Sequence, residues 1–211
     1  MRPDGVDAAT LRAYDREAAH FAQDWETQPT PTDMQALLLR SFQPGPTADV
    51  GCGSGRDAAW LAAQGFDVVG YDASSGLLAE ARRLHPGVRF TAASLPELSG
   101  IADCQFVNVM CETVIMHLPP AAIAASVRRL LAILAPGGVL YLSWRVTLVA
   151  NRRDDHGRLY AAFDPAVVFA ALGSAELLLD EERDSASSGK LVRRIIVRKK
   201  RDHGPAQQSV P

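Results

Sequence analysis

Residues 47–60 read TADVGCGSGRDAAW, and this stretch decides the fold. A short apolar run is followed by glycine at every second position, at Gly51, Gly53 and Gly55, and then by an alanine-rich segment. This pattern predicts a buried strand, a tight turn and the start of a helix. Glycine suits the turn because it adopts positive φ and lets a ligand approach the backbone. The N–H groups at the helix start then point toward a polar ligand.

The spacing of these glycines shows which of the common nucleotide-binding motifs the sequence can contain. A P-loop is excluded because no Gly-Lys-Ser/Thr follows the turn. A strict G-x-G-x-x-G fingerprint counted from Gly51 requires glycine where the chain has Arg56. The looser G-x-G-x-x-A form, counted from Gly53, ends at Ala58 and stays open. An ordinary strand-to-helix turn without a ligand is the remaining alternative.

A second polar residue stands at the end of the next predicted strand. The apolar run over residues 66–71 ends in Asp72, at the separation from the glycine turn that ribose-binding carboxylates have. An acidic side chain there is placed to accept hydrogen bonds from ribose hydroxyls. The alternative is that Asp72 caps the backbone at Ser74 or Ser75. Together, the glycine turn and Asp72 favour a nucleoside-binding site.

The complete pattern D-x-G-x-G-x-G, which begins at Asp49, resembles the first motif of the class I S-adenosylmethionine-dependent methyltransferases. Within that family, the string from Gly51 to Asp72 is similar to the small methyltransferases of the tellurite-resistance group. The resemblance covers residues 47–198 and includes the Pro-Gly-Gly turn at 136–138. It implies S-adenosylmethionine as cofactor, a small molecule as acceptor, and direct in-line displacement at the sulfonium methyl.

The resemblance also implies which residues hold the cofactor. Ser94 stands where the family often has an acidic residue for the adenine amino group, so this contact departs from the family pattern. The expected cofactor contacts come from the glycine turn, from the ends of the following strands and from an N-terminal helix: Asp49, Gly51, Cys52, Gly53, Gly55, Arg56, Asp72, Ala73, Ser94, Leu95, Val109 and Tyr14.

The acceptor is expected at the carboxyl ends of the fourth and fifth strands, since ligands of open α/β sheets bind there. His117, in the segment MHLPP, is a candidate general base because histidine titrates near neutrality. Arg145 is a candidate anchor for an acceptor carboxylate, and Trp144 is a candidate apolar wall. Packing of His117 and a surface ion pair of Arg145 are the alternatives. The residues after Asn108 lack the Asn/Asp-Pro-Pro-aromatic signature of nucleic-acid and glutamine N-methyltransferases, which argues against those acceptors.

Strand-like and helical segments alternate after the glycine turn, which predicts βαβ units and a parallel sheet. The last two strands, near 176–179 and 191–198, are joined by a polar turn and predict an antiparallel hairpin. The predicted fold class is α/β: a three-layer sandwich with a Rossmann-like, seven-stranded, mostly parallel sheet. The resemblance implies the strand order 3-2-1-4-5-7-6, with the last strand antiparallel.

The first 43 residues are expected to form a helical lid over the cofactor, as the resemblance implies. Apolar residues recur at helical spacing over residues 7–25, and a second helix is expected over 34–42. We expect one methyltransferase domain, with the lid in 1–43, the core in 44–198 and a frayed tail in 199–211.

The composition limits which partners and which cellular location we expect for this protein. A net charge of −2 argues against a chain-wide surface for nucleic acid. The apolar stretch 130–150 contains Pro-Gly-Gly and Arg145, so no membrane span is predicted, and the first ten residues lack the apolar core of a secretory signal. Three cysteines without C-x-x-C favour reduced thiols in a cytoplasmic protein. No metal-ligand spacing is present, and residues 154–156 are expected to form a solvated loop.

Other functions stay open from the sequence. A nicotinamide-dependent oxidoreductase would use the looser fingerprint that ends at Ala58. A non-catalytic S-adenosylmethionine-binding protein would keep the cofactor motifs without a usable acceptor pocket. The expected enzyme acts on a small molecule as a monomer or homodimer.

Overall fold

The structure is a computed structural model that describes residues 5–147 and 149–201. Helices cover both faces of a central sheet, and a short 3₁₀ turn spans Ile115–His117. The helices are α1 Ala8–Arg16, α2 Ala18–Thr27, α3 Thr32–Ser41, α4 Arg56–Ala63, α5 Ser75–Leu84, α6 Pro120–Ile133 and α7 Ala166–Leu172. The strands are β1 Pro46–Val50, β2 Asp67–Asp72, β3 Arg89–Ala92, β4 Phe106–Cys111, β5 Leu134–Arg145, β6 Arg152–Arg153, β7 Leu159–Tyr160, β8 Glu176–Asp184 and β9 Leu191–Arg198.

Seven of these strands form one sheet in the order β3-β2-β1-β4-β5-β9-β8. Strands β1 to β5 pair in parallel, whereas β9 pairs antiparallel with both β5 and β8. This confirms the predicted fold class and strand order, with β8 and β9 as the sixth and seventh strands of the prediction. The small β6–β7 ribbon was not predicted, because two-residue strands leave no periodic signal.

The sheet separates two apolar cores, because successive side chains of a strand point to opposite faces. On one face, Val109 of β4 packs among residues of α6 and α7. On the other face, the next residue, Met110, packs among residues of α3, α4 and α5. Both side chains are fully buried, so β4 is covered on both faces, as expected for a central parallel strand.

The N-terminal segment forms two helices where the sequence predicts one over 7–25. Asp7 caps α1 by accepting a hydrogen bond from the Thr10 N–H at 2.8 Å. Glu17 then leaves the helical conformation, with φ −118° and ψ 23°, and separates α1 from α2. Both helices pack against α5, where Asp15 accepts hydrogen bonds from the Ser74 hydroxyl at 2.7 Å and the Gly76 N–H at 3.0 Å. These contacts to α5 join residues far apart in the sequence, and the segment forms two helices where one straight helix was predicted.

The C-terminal hairpin is longer than predicted. Strand β8 continues to Asp184, five residues beyond the predicted end. Its second half is mostly charged, which hides the alternation of a strand, but cross-strand ion pairs hold it: Arg193 contacts Asp180 at 2.7 Å and Arg194 contacts Glu181 at 2.6 Å. Lys199, the first residue of the predicted tail, still exchanges backbone hydrogen bonds with β5, and residues 202–211 lie outside the described part of the chain. In the described ranges, no helix is long and apolar enough to cross a bilayer.

Asn108, buried in the middle of β4, joins the lid to the sheet. Its side chain accepts a hydrogen bond from the Gln43 N–H at 2.9 Å and donates to the Gln43 carbonyl at 2.7 Å. The same amide donates to the Thr47 hydroxyl at 3.0 Å. The amide therefore fixes the connection from α3 into β1, directly ahead of the glycine turn.

Asn108→Ala should lower the free energy of unfolding by about 2–3 kcal/mol, because it leaves buried polar groups without partners. Urea denaturation measures this change. Gln105→Ala, in the exposed approach to the same strand, removes a single hydrogen bond to the Ala102 N–H and should change the stability by less than about 1 kcal/mol. Equal effects of the two substitutions would contradict the role of Asn108.

Candidate functional site

A cleft of about 380 Å³ lies at the carboxyl ends of β1, β2, β4 and β5, beneath α1 and α2. This is the position at which open α/β sheets bind ligands. The cleft brings together twelve of the residues proposed from the sequence: Tyr14, Asp49, Gly51, Cys52, Gly53, Arg56, Asp72, Ala73, Ser94, Leu95, His117 and Arg145.

The glycine turn is held by its own backbone. The N–H groups of Gly51 and Cys52 both donate to the Tyr71 carbonyl, at 2.7 and 3.0 Å, so the turn is fastened to the end of β2. Gly51 has φ 80°, and a Cβ there would lie 2.2 Å from Val114. Gly53 has φ 55°, and a Cβ there would lie 2.7 Å from the Trp25 ring. A side chain at either position is therefore excluded by both conformation and space.

Three of the proposed residues do not line the cleft. Gly55 starts α4 with φ 81°, and a Cβ there would lie 2.5 Å from Phe90, so this glycine serves packing under the turn. Val109 is fully buried in the core beneath the cleft. Trp144 is buried against Phe163 and borders a second cavity, which Arg145 also lines, but it does not reach the cleft.

Asp72 connects the glycine turn to the start of α5. One carboxylate oxygen accepts a hydrogen bond from the Gly53 N–H at 2.9 Å, and the other accepts one from the Ser74 N–H at 2.8 Å. Burial raises the pKa of Asp72, and the hydrogen bonds from these N–H groups oppose that rise. The capping role considered for Asp72 is thus present, and Asp72 also lines the cleft.

Asp49 ends β1 beneath the turn with 2% of its surface exposed. Burial raises the pKa of this carboxyl well above its ordinary value, and the nearby carboxylates Asp57, Asp72 and Glu112 raise it further. Burial and these neighbouring carboxylates thus favour the protonated, neutral form of Asp49. A positively charged group in the adjacent cleft would lower the free energy of the ionised form.

His117 and Tyr14 form a pair across the cleft from Asp72. The Nδ1 atom of His117 lies 2.5 Å from the Leu159 carbonyl, which only accepts, so Nδ1 carries the proton. The Nε2 atom then accepts from the Tyr14 hydroxyl at 3.0 Å. Burial, with smaller contributions from Arg158 and Arg145, lowers the pKa of His117 to about 4. His117 is thus neutral at pH 7, with both ring nitrogens in hydrogen bonds.

The lid is fastened to the glycine turn. Arg56 donates to the Trp25 carbonyl at 2.8 Å, and the Ser54 hydroxyl donates to Glu26 at 2.9 Å. The Trp25 ring covers Gly53 and stacks with Phe21 at a centroid distance of 5.8 Å. The helical spacing of residues 7–25 indicated these aromatic residues as packing residues, but nothing in it showed that they line the cleft.

The segment after β5 closes the other side of the cleft. Arg153 makes a two-pronged ion pair with Asp7, at 2.9 and 2.8 Å, and His156 contacts Glu17 of the lid at 2.6 Å. The loop at 154–156 is therefore only partly solvated: Asp155 is exposed, as expected, whereas His156 packs on the lid. Two residues that line the cleft, Arg158 and Tyr160, come from this segment and were missed, since no motif marks them.

The remaining proposed residues lie at the Asp72 end of the cleft. Ala73 follows β2, and Ser94 and Leu95 follow β3, so all three border the same end of the cleft as Asp72. No group of three or more His, Cys, Asp or Glu side chains suited to a metal ion occurs among residues 5–147 and 149–201.

Residues 48–138 match the family model described as "Methyltransferase domain". The chain is 29% identical over 181 residues to malonyl-[acyl-carrier protein] O-methyltransferase from Enterobacter lignolyticus, which covers 86% of this chain and 68% of that protein. It is 33% identical over 132 residues to trans-aconitate 2-methyltransferase from Methylobacterium nodulans, covering 60% of this chain. The chain spans 48% of that second relative's length.

A solved structure with the same fold is 1,6-didemethyltoxoflavin-N1-methyltransferase from Burkholderia thailandensis, with bound 1,6-didemethyltoxoflavin and S-adenosylhomocysteine. It superposes with a TM-score of 0.71 at 22% identity, and the match covers 92% of this chain and 88% of that one. None of these three proteins bears the name of the tellurite-resistance group, so that finer resemblance stays a prediction. The matched domain, these relatives and the shared fold support a class I S-adenosylmethionine-dependent methyltransferase.

Proposed function

We propose that this protein moves the methyl group of S-adenosylmethionine to a small-molecule acceptor by in-line displacement at the sulfonium methyl. The observation that carries this proposal is one continuous cleft with two differently built ends. The first end has a glycine turn fastened by Asp72, and the second end is lined by Tyr14, His117 and Arg145. The relatives act on different acceptors by name, so their names do not agree on an acceptor for this chain.

The cofactor is assigned to the glycine-turn end. We assign the ribose hydroxyls to Asp72, with Ala73 beside it, and Ser94 and Leu95 border the space for the adenine. Asp49, Gly51, Cys52 and Gly53 would then face the methionine portion. Arg56 fixes the lid over this end, and Tyr14, which bonds His117 at the second end, would contact the methionine portion from α1.

The sulfonium is an activated leaving group, so the protein chiefly aligns the acceptor with the methyl carbon. The acceptor atom forms a bond to that carbon while the carbon–sulfur bond breaks and the sulfur keeps the electron pair. His117 reaches an acceptor through Tyr14, because its Nε2 lone pair already accepts the Tyr14 hydroxyl proton. We assign Tyr14 the contact with the reacting groups and His117 the orientation of Tyr14.

The domain boundaries are part of the same proposal. Residues 1–43 act as the lid and 44–198 as the core, because ion pairs from Asp7 and Glu17 fasten the described lid helices to the segment after β5. We propose that the enzyme works as a monomer or homodimer in the cytoplasm, without a nucleic-acid partner. The net charge of −2 supports the last point.

Calorimetric titration with S-adenosylmethionine, S-adenosylhomocysteine and NADH tests the cofactor. We expect the two sulfur nucleosides to bind and NADH not to bind, because the strict dinucleotide fingerprint is absent. Tight NADH binding would revive the oxidoreductase alternative. Binding of the sulfur nucleosides without turnover over a broad acceptor panel would favour a non-catalytic binding protein instead. A folded protein that binds neither sulfur nucleoside would contradict the proposal.

Asp72→Ala should weaken S-adenosylhomocysteine binding by about tenfold or more, because hydrogen bonds to a carboxylate are lost. Asp67→Ala, at the exposed start of the same strand, is the control and should bind as the wild type does. Because Asp72 also holds Gly53, the ribose contact needs a separate measurement with 2′-deoxy and 3′-deoxy analogues. Removing a hydroxyl should reduce affinity in the wild type and much less in Asp72→Ala. Equal losses in both proteins would leave Asp72 only its structural role.

His117→Gln should flatten the dependence of stability on pH. The folded pKa of His117 is about 4, against 6.5 for the free side chain, so the unfolded state binds more protons between these values. The free energy of unfolding therefore falls as the pH decreases through this window, by about 3 kcal/mol from this group. Urea denaturation at about pH 7 and about pH 4.5 measures the drop, which should be smaller in the variant. An equal drop would show that His117 is not buried in the neutral form.

A further inference from the structure

Three guanidinium groups converge on the ring of Tyr160. The Cζ atoms of Arg145, Arg152 and Arg158 lie 4.8, 5.5 and 5.9 Å from the ring centroid. Tyr160 itself is 4% exposed, so its ring forms a fixed platform between the three cations. Like charges at such separations repel one another unless an anion offsets them.

The protein places little negative charge near these three arginines. Arg158 pairs with Asp154 at 2.7 Å, whereas Arg145 and Arg152 make no ion pair with a carboxylate in the described ranges. The fourth arginine of this segment, Arg153, is neutralised by Asp7. One carboxylate thus faces three guanidinium groups around Tyr160.

The positive potential of this cluster reaches the cleft. Arg145, Arg158 and Tyr160 line the cleft, whereas Arg152 is exposed and lies outside its lining. His117, also in the lining, responds to the same field, since Arg158 and Arg145 both lower its pKa. The neutral His117 adds no charge of its own, so the two arginines set the sign of the potential at this end.

The order of the strands separates this cluster from the adenosine end. Asp72 ends β2, which neighbours β1 on one side, while Arg145 ends β5, which lies two strands from β1 on the other side. With strands spaced about 4.8 Å apart, β5 runs roughly 10 Å from the strand that carries the glycine turn. Arg145 therefore stands on the opposite side of the glycine turn from Asp72.

We propose that Arg145 and Arg158 form a subsite that binds a carboxylate of the small-molecule acceptor, with the Tyr160 ring holding the guanidinium groups in place. A planar guanidinium matches a carboxylate through paired N–H groups, and stacking on an aromatic ring fixes its orientation before the ligand arrives. This inference deepens the proposed function and rests on it. It makes the acceptor an anion held at one end while another atom receives the methyl group.

A carboxylate at this subsite has two possible sources: the acceptor, or the methionine portion of the cofactor. The affinities of two nucleoside ligands distinguish these two sources. S-adenosylhomocysteine carries the methionine carboxylate, and 5′-methylthioadenosine keeps the nucleoside but lacks it. If the arginines bind the cofactor, their loss weakens only the first ligand. If they bind the acceptor, their loss changes neither ligand and weakens a carboxylate probe.

The experiment uses the full chain with Arg145→Gln and Arg158→Gln, and with Arg152→Gln as the matched control, since Arg152 contacts the same ring from outside the cleft. Calorimetry measures S-adenosylhomocysteine and 5′-methylthioadenosine first. Succinate and tricarballylate are then titrated into the S-adenosylhomocysteine complex, with succinamide as the neutral counterpart. We expect a carboxylate probe to bind to the wild-type complex. Its affinity should fall about tenfold or more in Arg145→Gln and Arg158→Gln, and should stay within about twofold of the wild type in Arg152→Gln.

Each other outcome overturns a defined part of the inference. Loss of S-adenosylhomocysteine affinity with unchanged 5′-methylthioadenosine affinity would assign the arginines to the cofactor. Binding of neither carboxylate probe, or equal binding of succinamide, would remove the anion subsite while leaving the cofactor assignment intact. Failure of the folded wild type to bind S-adenosylhomocysteine would remove the proposed function itself. Arg145→Lys keeps the positive charge but loses the paired N–H groups of the guanidinium, so it should retain part of the probe affinity. This variant replaces Arg145→Gln if the latter does not fold.

Discussion

The cofactor end of this protein depends on one carboxylate, that of Asp72. Its two oxygens accept the N–H groups of Gly53 and Ser74, so the turn after β1 and the turn after β2 share a single anchor. The Tyr71 carbonyl fixes the first residues of the same glycine turn. A tight turn whose N–H groups are already committed keeps its shape without a ligand, which reduces the ordering that binding would otherwise require.

The lid depends in turn on that anchored turn. The Trp25 ring rests on Gly53, and Asp15 bonds the N-terminus of α5 directly after Ser74. On the far side, Asp7 is paired by Arg153 from the segment after β5. The lid is therefore held by contacts at both ends of the cleft, one set built on the cofactor end and one on the acceptor end. Opening of the lid has to break both sets.

The features of this structure that could be predicted are those that depend on residues close together in the sequence. The glycine turn, the position of Asp72 and the alternation of strands and helices follow from neighbouring residues, whereas the strand order came from the family resemblance. Tyr14 and His117 were each identified, but their hydrogen bond joins residues 103 positions apart and leaves no trace in either motif. Arg158 and Tyr160 lie in a segment that resembles a polar loop, because its two-residue strands show no period.

Trp144 shows the same limit at one position. The sequence places Trp144 and Arg145 together at the end of β5, but adjacent residues of a strand face opposite sides of the sheet. Arg145 consequently enters the cleft while Trp144 packs beneath Phe163.

The two ends of the cleft use different chemistry, and this difference explains why the fold predicts one ligand better than the other. At the cofactor end, positive-φ glycines that leave no space for side chains and one carboxylate line the cleft, and these features are tied to the fold itself. At the acceptor end, side chains from α1, from the 3₁₀ turn and from the segment after β5 meet around Tyr160. Substitutions in that segment change the acceptor end without disturbing the glycine turn. Under our proposal, the choice of acceptor depends on residues such as Arg145 and Arg158, which lie outside the glycine-turn motif.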